Sequence, residues 1–294
     1  MDTVHKEDPM ATLDVHFYSD ALKVSTGMTV ILPQRPRTEI GLAPSSPSAG
    51  ASPTGTDVPT PAPPVLYLLH GLGDDETTWL RRTSIDRYAA LAGLAVVMPR
   101  ADRSFYQDEV HGHRYWTFLS EELPAVVHDF FRVSTRREET FVAGLSMGGY
   151  GAMRWALSQP WRFAAAATLS GALDLGRRVN APAGSETTGA DSPETTLHFL
   201  DFTPDVRDNS FGGAFAPGGS NDLFSLLEGA DPATLPALYV SCGGQDELLG
   251  HSERFLEAAR AAGLDPHAEF PDGTHTWKLW DTQIQRVIDW LPMG

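Results

Sequence analysis

The chain has 294 residues, 41% hydrophobic and 20% charged, and a formal net charge of −16, a size and balance that fit one large folded α/β domain. The acid excess excludes nucleic acid as a partner, since phosphate binding needs a basic surface. It also disfavours anionic membranes, and no stretch approaches the roughly 18 apolar residues of a membrane span.

A single cysteine, Cys242, excludes an intrachain disulfide framework. The first residues lack the apolar core of a signal peptide, so the expected location is cytoplasmic.

Residues 1–12 carry no structural signal, and the domain is expected to span 13–294. From Leu13 to Pro33 apolar and polar residues alternate, which predicts two strands in an antiparallel hairpin at one sheet edge. Residues 43–64 are nearly all Pro, Ser, Ala, Gly and Thr. Such a segment buries too little apolar area to offset its ordering entropy, and it reads as a long internal loop.

Val65-Leu-Tyr-Leu-Leu is a compact apolar strand running into His70-Gly-Leu-Gly. A helix follows from Ser84, its candidate cap, to Gly93, and then a buried strand from Leu94 to Pro99. Ser120 to Phe131 has helical apolar spacing, Glu139 to Gly144 reads as a strand, and Tyr150 to Gln159 as a helix stopped by Pro160. Two more strands are expected at Phe163–Leu169 and Ala237–Cys242, then helices at Ser252–Ala262 and Trp277–Trp290. Residues 180–220, polar and Gly-rich, stand where a small lid is inserted. Strands alternating with helices predict a mostly parallel, doubly wound sheet with helices on both faces.

Gly144-Leu-Ser-Met-Gly148 matches G-x-S-x-G. Five letters are a weak signal, but here the Ser ends an apolar strand and opens a helix, the context of a nucleophile elbow in an α/β-hydrolase fold. The helix N-terminus then lies under the developing oxyanion. Ser146 is the candidate nucleophile, and a hydroxyl needs a base to activate it. In this fold the order is Ser, acid, His, which leaves His198, His251, His267 and His275.

His275 lies in a turn-rich loop before the last amphipathic helix and is the best placed. His251 follows a Gly helix break, and His267 falls in the expected final strand. Asp246, after the strand Leu238–Cys242, is the candidate acid, with Glu247 its main competitor and Asp272 a poorer one. The acid's role is to fix the tautomer of His275 and stabilise its imidazolium. The amides of Met147 and Leu72 are the candidate oxyanion-hole donors. His70 reads as a local hydrogen-bonding residue.

These blocks resemble the esterase D family, most closely its tributyrin-esterase-like members. The shared stretches are Tyr67-Leu-Leu-His-Gly-Leu-Gly with Thr78-Trp-Leu, the run from Tyr115 to Pro124, and the run from Phe141 to Gly151. Asn221-Asp-Leu-Phe-Ser-Leu-Leu and Trp277-Lys-Leu-Trp-Asp complete them. The resemblance implies a Ser146–Asp246–His275 carboxylesterase, with Leu72 and Met147 in the hole, acting without metal or organic cofactor on a small-molecule ester. Residues 43–64 and 180–220 depart from the family, so no pocket shape carries over.

S-formylglutathione hydrolases, carbohydrate acetyl or feruloyl esterases and acyltransferases are the enzyme alternatives. An idle binding domain on the same fold is the alternative outside enzymes. Absence of a long apolar lid favours short acyl chains. Homo-oligomerisation is left open.

Three weaker signals remain. His111-Gly-His113 has the spacing of two metal ligands but no third, so no metal site is expected. Asp201, Asp205 and Asp208 lack calcium-loop spacing. Trp79 and Tyr115 flank blocks that approach the site, and each is a candidate substrate-binding residue. Plain core packing is the alternative for both.

Overall fold

The structure, a computed structural model, describes residues 10–34, 61–176 and 203–293. Eight strands form one sheet in the order β1-β2-β4-β3-β5-β6-β7-β8. They are β1 (Met10–Ser19), β2 (Val24–Pro33), β3 (Val65–Leu69), β4 (Ala95–Pro99), β5 (Thr140–Leu145), β6 (Ala165–Leu169), β7 (Ala237–Ser241) and β8 (His267–Glu269). The hairpin β1–β2 is antiparallel and β2 joins β4 antiparallel. From β4 through β8 every pairing is parallel. With helices on both faces, this is the α/β-hydrolase fold expected from the alternating pattern.

Alternation along each strand builds the two faces. Val65, Tyr67 and Leu69 of β3 share one core with Met147, Trp155 and Phe255. Leu66 and Leu68 enter the other with Trp79, Ile85, Trp280 and Ile284. The central strands β3, β4 and β5 are buried at every residue, as expected where helices cover both sides of a parallel sheet.

The helices are α1 (Thr78–Arg82), α2 (Ile85–Ala92), α3 (Tyr115–Thr117), α4 (Leu123–Phe130), α5 (Met147–Ser158), α6 (Pro204–Phe211), α7 (Leu223–Glu228), α8 (Leu249–Ala261) and α9 (Trp277–Trp290). None among the described residues is long and apolar enough to cross a membrane.

Several boundaries differ from the sequence reading. The first strand includes Met10, Ala11 and Thr12, which pair with Pro33, Leu32 and Ile31; the partner strand, not local pattern, holds them. The helix expected from Ser120 begins at Tyr115 and passes through a π turn, Phe118–Glu122, before α4. Ser84 makes no side-chain cap; its amide donates instead to Asp281 Oδ1 at 2.9 Å.

Only the ends of the two unusual segments are described. At the first, the Pro63 and Pro64 carbonyls accept from Ser134 and Ala95. At the second, α6 carries Asp205 and Asp208, and the Asn209 carbonyl accepts the Val110 amide at 2.7 Å. The remainder of both, with Asp201 and His198, lies outside the described residues.

Candidate active site

The turn between β5 and α5 forces its sequence. Ser146 has φ 52° and ψ −115°, a conformation that costs a non-glycine residue of order 1–3 kcal/mol and persists only when neighbours over-determine it. A Cβ on Gly144 would lie 2.3 Å from the Gly148 carbonyl oxygen. One on Gly148 would lie 2.4 Å from the Leu69 and 2.6 Å from the His70 carbonyl oxygens. Both glycines are thus required by close backbone approach. Ser146 N–H donates to the Leu169 carbonyl of β6 at 2.9 Å, tying the turn to the neighbouring strand. Its Oγ is buried and has no hydrogen-bond partner.

The loop after β7 supplies a carboxylate and the loop after β8 an imidazole. His275 Nδ1 donates to Asp246 Oδ2 at 2.9 Å, with Oδ1 at 3.1 Å. Asp246 Oδ1 also accepts the Leu248 amide at 2.9 Å. Burial pushes the Asp246 carboxyl up, but the hydrogen bond and charge of His275, with the Leu248 amide, outweigh it and hold it below its usual range. The His275 ring stands edge-on to Trp280 at 4.7 Å, and Trp280 Nε1 donates to Ser170 Oγ at 3.1 Å. Asp246 is buried, whereas Glu247 and Asp272 are exposed.

The structure therefore brings His275 onto Asp246 but makes no hydrogen bond between His275 and Ser146 Oγ. Bonds of this kind are often long in a ligand-free site and tighten when substrate arrives. The other histidines after Ser146 have different contacts. His251 Nδ1 accepts the Asp174 amide at 3.0 Å, and His267 stacks on Tyr239 at 4.8 Å.

Across the turn lies the His70–Gly71–Leu72 segment. A Cβ on Gly71 would fall 2.6 Å from Leu145 Cδ1 and 3.7 Å from Ser146 Cβ, so this loop abuts the nucleophile turn. Leu72 is half-buried against the core. His70 is wholly structural in its contacts: Nδ1 donates to the Gly71 carbonyl at 2.8 Å and Nε2 accepts the Ala101 amide at 3.0 Å. Burial pushes its pKa down, as suits a neutral ring with one donor and one acceptor.

Trp79 is corrected from pocket to core. Its side chain has no exposed surface; Nε1 donates to the Leu69 carbonyl at 3.0 Å and the ring packs edge-on to Trp277 at 5.2 Å. Tyr115 is also buried, with its hydroxyl donating to Asp102. It borders a cavity of about 260 Å³ shared with Glu76, Arg100 and Asp102, whose walls do not include Ser146 or His275. His113 Nδ1 is 2.7 Å from the Leu22 carbonyl, so it serves the hairpin turn.

Sequence reasoning missed a buried polar network beneath the site. Tyr106, at φ 53°, donates through its hydroxyl to the His70 carbonyl at 2.9 Å. Arg154 Nη1 donates to the Tyr106 carbonyl and to Gln107 Oε1, both at 2.9 Å, and its guanidinium lies over Trp116 at 3.8 Å. The Gln107 amide donates to Tyr150 Oη, which donates to the Asn221 carbonyl at 2.7 Å. The Arg in the middle of a glycine-opened helix was the available signal.

Residues 53–291 match the family model "Esterase", described as "Putative esterase". The chain belongs to this esterase family. An acetyl esterase of Caldicellulosiruptor saccharolyticus is 27% identical over 286 residues, covering 96% of this chain and 98% of that one. Among solved structures, the fluorophosphonate-binding serine hydrolase FphF of Staphylococcus aureus, substrate bound, is 30% identical with a TM-score of 0.78. That match covers 97% of this chain and all of the other. An S-formylglutathione hydrolase, FrmB, from the same species is 29% identical with a TM-score of 0.74 and equal coverage. This esterase is accordingly a serine hydrolase of the carboxylic-ester class.

Proposed function

We propose that this esterase cleaves short acyl esters through a triad of Ser146, His275 and Asp246, with the amides of Leu72 and Met147 stabilising the oxyanion. The observation that carries the reading is the conjunction of a strained, buried Ser146 with a buried Asp246 hydrogen-bonded to His275. In the first half-reaction Ser146 Oγ attacks the carbonyl carbon while His275 Nε2 takes its proton. The tetrahedral oxyanion collapses, His275 protonates the departing alcohol, and an acyl-enzyme remains. Water, deprotonated by the same imidazole, then releases the acid and restores Ser146. Asp246 keeps the proton of Nδ1 in place and stabilises the imidazolium.

Esterase D-like, tributyrin-esterase-like membership is the finer family reading, supported by the sequence blocks around Leu72, Ser146 and His275. Short acyl chains are supported by the named acetyl esterase relative. A thioesterase acting on S-formylglutathione is the second reading, favoured by the similarity to FrmB. A panel of p-nitrophenyl esters from acetate to laurate, with S-formylglutathione and acetylated and feruloylated sugars, separates them. The proposal expects kcat/KM highest for acetate or butyrate and falling with chain length. Fastest turnover of laurate would refute it, and a large excess for S-formylglutathione would establish the second reading.

A further inference from the structure

Asp74 stands on the loop that carries Leu72. The point where a Cβ on Gly71 would sit is 3.1 Å from Asp74 Oδ2 and 3.7 Å from Ser146 Cβ, so the carboxyl and the nucleophile share one small region. Asp74 is half-buried. We propose that Asp74 sets the charge selectivity of the site, its carboxylate penalising esters whose acyl or alcohol part is anionic and so favouring neutral and cationic ones. This rests on Ser146 being the nucleophile.

The surroundings leave that charge effective. Burial pushes the Asp74 carboxyl up to about 6, with neighbouring Asp75 adding to it, while the Gly71 amide and Arg81 and Arg82 of α1 oppose the rise. Arg81 is engaged elsewhere, its Nη2 3.2 Å from Asp75 Oδ1 and 3.0 Å from Thr78 Oγ1. From the loop after β4, the Tyr106 hydroxyl feels the Asp74 charge but is committed to the His70 carbonyl. Above pH 6 Asp74 is therefore an anion beside the nucleophile, and below it a neutral acid. Asp74 Oδ2 can be no farther than about 7 Å from Ser146 Cβ, and a unit charge roughly 7–10 Å from a substrate carboxylate in a half-solvated site changes the relative rate of that substrate by roughly three- to tenfold.

The test compares 4-acetoxybenzamide, neutral, with 4-acetoxybenzoate, anionic, in wild type and Asp74→Asn at pH 5 and pH 8 and constant ionic strength. The expected result is a benzoate-to-benzamide ratio of kcat/KM raised about three- to tenfold by Asp74→Asn at pH 8 and almost unchanged at pH 5. Equal ratios in the two proteins at pH 8 would overturn the proposal. Carbon-13 NMR titration of the Asp74 carboxyl, assigned by its loss in Asp74→Asn, reads the charge without turnover. An inflection at or below about 6 leaves Asp74 anionic at pH 8 and supports the proposal; a carboxyl still protonated at pH 8 overturns it. If neither ester is turned over by wild type, the ester-hydrolase reading fails while the titration still decides the state of Asp74.

Discussion

Gly148→Ala perturbs the meeting of the nucleophile turn with the Leu72 loop at a single atom. The added methyl would sit 2.4 Å from the Leu69 and 2.6 Å from the His70 carbonyl oxygens, about 1 Å inside ordinary van der Waals contact. Both opposing atoms are backbone, at the end of a fully buried strand, so no side chain can rotate away. Overpacking of this kind costs about 1–3 kcal/mol, which lowers the melting temperature by roughly 2–5 °C in a chain of this size.

The activity loss should be larger than the stability loss. Met147 precedes Gly148 and Leu72 follows His70 by two residues, so separating the two backbones moves both expected oxyanion donors apart. A displacement of about 1 Å at a reacting centre costs on the order of 100-fold in rate. The assay is kcat/KM for p-nitrophenyl acetate with a thermal melt on the same preparation. Gly229→Ala is the control: its φ is −88° and the nearest atom to its Cβ is at 3.5 Å, so both readouts should stay at wild type. A Gly148→Ala enzyme with a wild-type rate would refute the close-approach argument.

Three further outcomes are expected. Asp246→Asn should lower kcat by about 10³–10⁴-fold, as loss of a tautomer-fixing carboxylate does in other triads. Because the folded Asp246 carboxyl lies below its usual range, its ionised form stabilises the fold above the unfolded pKa, and that contribution disappears as pH falls through the folded value. The melting-temperature gap between wild type and Asp246→Asn should therefore shrink from pH 7 to pH 3, and a gap that widens contradicts the sign. Cys242 is fully buried, and burial followed by the Asp246 charge pushes its thiol up to about 12. Ellman's reagent should find no thiol in the native protein and one per chain in guanidinium; rapid native reaction would contradict this burial. Trp79→Phe should cost about 1–3 kcal/mol by removing the buried indole hydrogen bond to the Leu69 carbonyl and leaving a void in the core, with KM unchanged; a rise in KM without loss of stability would return Trp79 to the substrate.

Legibility in the sequence followed the range of the interaction. The strands β3, β5 and β7 stand out because burial on both faces makes them short continuous apolar runs. The pairing of Asp246 with His275 was legible because the fold fixes the chain order and the loops from which each arises. The preference for Asp246 over Glu247 acquires its physical reason only in the structure, where one side chain points inward and the next does not. Trp79 and Tyr115 were ambiguous because an aromatic beside an active-site block is equally suited to core and pocket. Tyr106, Gln107 and Arg154 were invisible as a set: their contacts span 36 to 48 residues, and a positive φ at Tyr106 has no one-residue signature. Asp74 was passed over because its relation to Ser146 depends on the turn at Gly71.

The central claim is that Ser146 is the nucleophile, and covalent trapping tests it most directly. A fluorophosphonate is incubated with the protein and the tryptic digest examined by mass spectrometry. Cleavage after Arg137 and Arg154 isolates a peptide whose only serine is Ser146. The account predicts one adduct per chain, on that peptide and at Ser146, and none in Ser146→Ala. An adduct on another residue, or equal labelling of Ser146→Ala, would contradict it.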